Sequence, residues 1–108
     1  MNGDGKKLVF KPRFYATIDE VLDFLQEYNS GDYIQNFLTE LNDFIMNKIV
    51  PYPESHTEYR WKQTPERMYR RAIFKKKYYV VYKVTPESIS FLAFVSAKRD
   101  LPNLPIED

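Results

Sequence analysis

Between residues 18 and 49 apolar side chains recur at helical spacing, and that regularity stops at Pro51 and Pro53. Beyond residue 67 the pattern becomes one of short aromatic and β-branched runs. A chain with this change of period has to build helices first and a sheet afterwards, and to pack one on the other. Ile18, Val21, Leu22, Leu25 and Tyr28 follow the i, i+3, i+4, i+7 pattern and share a face, with Asp19, Asp23 and Glu27 elsewhere. Thr17-Ile18-Asp19-Glu20 has the form of a capping box, so the first helix is expected to start at Thr17. Asn29-Ser30-Gly31 breaks it. Tyr33, Ile34, Phe37, Leu38, Leu41, Ile45 and Ile49 then mark a longer second helix, capped by Ser30 or Asp32 and ended by the prolines. So short a break predicts an antiparallel helical hairpin.

The strands read as follows. Residues 7–14 (KLVFKPRF) carry a strand-like core in Leu8, Val9 and Phe10, with Pro12 suited to an edge or a strand end. Residues 52–66 are polar, bounded by Pro51, Pro53 and Pro65, and read as a loop. Residues 68–74, 78–84 and 89–96 read as three strands in a meander, separated by Lys75-Lys76-Lys77 and Thr85-Pro86-Glu87-Ser88. Residues 89–95 are apolar nearly throughout, as suits a central strand covered on both faces. The expected fold is α+β: a small βααβββ domain whose helical hairpin packs on one face of a largely antiparallel four-stranded sheet. A length of 108 residues suits one domain, residues 1–108, with a core at about 8–101.

Composition excludes several classes. Aromatic residues at 17% oppose disorder of the whole chain. Apolar runs such as FLAFV are far short of the ~20 residues that cross a bilayer, so no membrane partner is expected. MNGDGKK lacks the apolar core of a secretory signal and cysteine is absent, so a cytoplasmic location is expected. With no Cys and one His the usual zinc ligand sets are missing, and no metal or cofactor is expected.

Net charge is only +1, yet it divides along the chain. Residues 14–59 hold one basic residue against nine acidic, whereas residues 60–83 hold nine basic against one acidic. Such a basic block attracts polyanions and the acidic segment repels them, so nucleic-acid contact would be one-sided. The plain alternative is that the two blocks neutralise each other within the molecule.

The order βααβββ, the hairpin ending in IVPYP, the strand pair RRAIFKKKYYVVYKV and the close FLAFVSAKRDL together resemble the RelE/ParE superfamily of toxins. The likeness covers roughly residues 8–101. Its most specific parts are Tyr82-Lys83-Val84 at a strand end and Lys98-Arg99-Asp100 after the last strand. The resemblance implies the toxin half of a type II toxin-antitoxin pair, held inactive by a cognate antitoxin, with a homodimer or a heterotetramer as its assembly. RelE-type members cut mRNA on the ribosome, and ParE-type members inhibit DNA gyrase. Many members place a His two residues before the basic pair, where this chain has Ser96. A nuclease needs groups that take and return a proton and cations that stabilise the phosphate, and losing one acid or base costs roughly 10²- to 10⁴-fold. The ParE-like reading, which needs no proton transfer, therefore leads. As a nuclease the chain would rely on Arg71, Arg99 and Tyr82. A third reading is an inactive member that only binds its partner.

The basic residues Arg67, Arg70, Arg71, Lys75, Lys76, Lys77, Lys98 and Arg99 form the expected binding surface for target or nucleic acid. Each has a plain alternative. Lys75-Lys76-Lys77 would be a solvated hairpin tip. Arg70 and Arg71 point to opposite faces of their strand, and Met68, Ala72 and Phe74 side with Arg70, which favours Arg71 as the exposed member. His56 reads as a solvated loop residue, Trp61 as a core-edge ring or a base-stacking one, and Tyr78, Tyr79 and Tyr82 as packing residues. The 102–108 tail is either a frayed end or a strip that a partner covers.

Overall fold

The computed structural model describes residues 6–58 and 68–97. Strand β1 (Lys7–Phe10) leads into α1 (Pro12–Gln26) and α2 (Gly31–Phe44), which continues through a π-helical turn (Ile45–Ile49). The strands β2 (Thr57–Glu58), β3 (Met68–Phe74), β4 (Tyr78–Val84) and β5 (Ser88–Ser96) follow. The sheet runs β1-β5-β4-β3-β2, with β1 parallel to β5 and every other pairing antiparallel. The α+β architecture expected from the sequence is therefore present, and the stretch read as a loop adds a two-residue edge strand to the four main ones.

The first helix begins five residues before the expected cap. Pro12 stands at its start, where a fixed φ and a missing N–H cost nothing, and no side chain caps it. Thr17 is thus inside the helix and the capping box does not form. Its buried hydroxyl shares its hydrogen between the carbonyls of Arg13 (2.9 Å) and Phe14 (2.8 Å) and accepts the N–H of Phe94 at 2.9 Å. The cause lies in the sheet. β1 ends at Phe10, opposite Phe91, and the Lys11 N–H makes the last bond to β5, at the Phe91 carbonyl. Phe94 lies past that end, and its amide has to be answered from α1.

The second helix starts as expected, with the Ser30 hydroxyl accepting the Tyr33 N–H at 3.3 Å. Tyr28 lies beyond the end of α1 and is 71% exposed, so it leaves the apolar face that its spacing assigned it. Ile34, Phe37, Leu41, Ile45 and Ile49 are buried and pack with Phe14 and Leu25 against Ala72, Phe74, Val80, Tyr82, Val84, Ile89, Phe91 and Phe94. The rings of Phe37 and Phe94 lie 6.1 Å apart, edge to face, a favourable arrangement for buried aromatics.

Strict alternation would send Phe91 and Phe94 to opposite faces. A register shift prevents it: Val81 pairs with Ala93 and Tyr82 with Phe91, leaving Leu92 with no residue opposite. Both phenylalanines then face the helices, while Leu92, Ala93 and Val95 join Tyr69 and Val81 in a smaller cluster on the other face. Every one of these β5 residues is buried, which accounts for the unbroken apolar run.

The β3–β4 hairpin turns through Lys75 and Lys76 at φ of 53° and 60°, closed by the Lys77 N–H on the Phe74 carbonyl at 3.1 Å. Lys75 forms an ion pair with Glu40 of α2. This is one direct link between the acidic and basic blocks. Replacing Thr17 by Val should leave the Phe94 N–H buried and unpaired, lowering stability by about 1–3 kcal/mol, while Thr17→Ser keeps most of it. Thermal melts of the two variants check this, and equal melting would rule out the assigned role.

Candidate functional site

The face of the sheet opposite the helices carries Tyr69, Arg71 and Ile73 of β3 and Tyr79, Val81 and Lys83 of β4, as strand parity requires. Arg71 stands over the Tyr79 ring, its guanidinium carbon 4.8 Å from the centroid, within the range of a cation–π contact. Arg71 and Tyr79 line a small open cleft of about 240 Å³ with Ile73, Ser55 and His56. Residues 55 and 56, just before β2, thus border the arginine's cleft, while the His56 ring itself turns to the helix side, against Phe44 and Tyr82.

His56 is not a solvated bystander. Its Nε2 lies 2.7 Å from the Lys48 carbonyl, and because a carbonyl only accepts, Nε2 carries a hydrogen there. The backbone carbonyl of His56 accepts from Arg70 Nη1 at 2.9 Å. The ring packs edge-on to Tyr82, with centroids 6.3 Å apart. The Ser55 hydroxyl donates to the Tyr52 carbonyl at 2.8 Å.

Arg70 and Arg71 diverge as their parity demands. Arg70 faces the helix side, held by the His56 carbonyl and by Met68 Sδ at 3.8 Å, and its buried Nε finds no partner among the described residues. Tyr82, opposite Arg70 in the ladder, is fully buried, and its hydroxyl donates to the Pro53 carbonyl at 2.6 Å. Burial pushes its phenol well above the ordinary tyrosine range, with Arg70 opposing only in part. Tyr82 is thus a structural residue, and its proton is not presented to a substrate. Lys75, Lys76 and Lys77 sit exposed at the hairpin tip and do not line the cleft. Arg67, Lys98, Arg99 and Trp61 lie outside the described residues.

The structure places Ser55 and His56 on the lining of the Arg71 cleft, a neighbourhood of which sequence reasoning selected only Arg71. The signal it lacked is the pairing of β2 with β3, which sets Thr57 opposite Arg71 and so carries His56 alongside. The cleft offers the Arg71 guanidinium to a small anion, with Ile73 and Tyr79 supplying apolar area. Compared with known proteins, the chain matches no protein-family model and no curated protein.

Tyr82→Phe removes a donor and leaves the Pro53 carbonyl unanswered, which should cost about 1–3 kcal/mol. The parent should also lose stability as pH rises above about 10, because the unfolded phenol then ionises while the buried one keeps its proton. Denaturant titrations at rising pH should show that loss in the parent and a smaller one in Tyr82→Phe. Parallel pH dependences would contradict it.

Proposed function

We propose that this chain is the toxin half of a type II toxin-antitoxin pair, acting in the ParE manner by binding and inhibiting DNA gyrase. The family resemblance over residues 8–101 motivates the reading, and the arrangement of two helices on one face of a sheet whose first and last strands run parallel agrees with it. What favours a binding mode over cleavage is Tyr82. The phenol that a nuclease of this sequence would recruit is bonded to Pro53 and held protonated by burial, so it has no route to a ribose hydroxyl. Inhibition by binding asks nothing of it.

Arg71, standing over Tyr79 on the sheet face away from the helices, supports a second reading, a ribosome-dependent mRNA endoribonuclease. In that case Arg71 stabilises charge on the phosphate.

Inducing the chain alone should arrest growth, and co-expressing the adjacent gene should restore it. Purified protein should inhibit gyrase supercoiling, and primer extension should find message intact in induced cells. Cuts in mRNA that fall on the order of 10²-fold in Arg71→Ala would replace the gyrase reading with the nuclease one. Unimpaired growth at confirmed soluble expression would count against both.

A further inference from the structure

A larger groove, of about 610 Å³, lies between α1 and the β3–β4 hairpin, where β5 runs past the end of β1. Val21 and Leu25 line it from α1, Tyr78 and Phe94 from the sheet, and Lys76 and Lys77 from the hairpin tip. Phe24, also on its lining, is 60% exposed, a large ring left in water beside an apolar recess.

The tip is held at a local cost. Two successive residues at positive φ are the mark of a type I′ turn, for which Asn and Gly are the fitting residues, and here both positions are lysine. Lys75 is accounted for by Glu40. Lys76 and Lys77 have no carboxylate partner among the described residues, and both reach the groove. Strain retained at a charged tip points to use of that charge.

The sign pattern selects the ligand. Glu20 lines the same groove, and Asp19, Asp23 and Glu27 make the helix beside it acidic. A continuous polyanion such as RNA would meet repulsion along α1. A segment charged only where it meets the hairpin tip would not.

We propose that this groove docks a short segment of a partner protein in which apolar side chains are followed by carboxylates. The apolar residues seat between α1 and β5, and the carboxylates meet the ammonium groups of Lys76 and Lys77. The inference stands on the groove alone and holds whether or not the chain is a toxin.

Random short peptides displayed on phage and selected on the full chain should converge on apolar residues followed by Asp or Glu. A synthetic copy should bind the parent, and its affinity should fall roughly tenfold or more in Lys76→Gly and in raised salt. Lys76→Gly should also melt higher than the parent, because glycine relieves the turn. A variant that is more stable yet binds less separates lost contact from lost fold. Selected peptides without acidic residues, affinity retained in the Lys76→Gly, Lys77→Ala double variant, or displacement of the peptide by polyuridylate would each overturn the proposal. Growth assays report on the toxin reading independently of this one.

Discussion

A strand buried on both faces has to have each of its backbone donors answered, and β5 outlasts its partner on one side. β1 supplies bonds only as far as Phe91, because the chain then turns at Pro12 to start α1. The Thr17 hydroxyl completes the edge by accepting from Phe94. One side chain thereby fixes both the depth at which α1 sits on the sheet and the orientation of the helix about its axis. Phe14 and Leu25, which share the buried face with Thr17, are directed into the core by the same constraint.

The opposite end of the domain is held by a run of bonds through the segment after α2. The π-helical turn is closed by the Val50 N–H on the Ile45 carbonyl at 2.9 Å, and the Lys48 carbonyl within the turn receives His56 Nε2. Pro53 receives the Tyr82 hydroxyl and His56 receives Arg70, so a proline-rich, polar segment is fastened to β4 and β3 at two points and to the π-helical turn at a third. That fastening holds the imidazole on the helix side of the sheet, against Phe44 and Tyr82. It also withdraws Tyr82 from any chemistry, since a phenol that serves as a buried donor has no free proton to exchange.

Much of the architecture is legible in residue order. The helical spacing of Ile34, Phe37, Leu41, Ile45 and Ile49 marks the buried face of α2, and the alternation around Ala72 and Phe74 assigns Arg70 and Arg71 to opposite sides. Thr17 is misread for a physical reason: its capping pattern is local, while its role is set by Phe94, 77 residues away. Tyr28 is misread because spacing continues past the end of the helix. Lys75, Lys76 and Lys77 look like a plain solvated tip, and only the backbone angles reveal a turn held against their preference.

Periodicity, proline placement and aromatic content determined that this chain forms two helices and a sheet with an apolar central strand, because these properties act over a few residues. Tertiary structure alone decided where β5 bulges, since ISFLAFV carries no alternation from which a register could be read. It decided as well that the residues just before β2 border the Arg71 cleft and that Tyr82 lies on the other face of the sheet. Those outcomes depend on which distant backbone groups need partners once the sheet has formed, and no stretch of neighbouring residues contains that information.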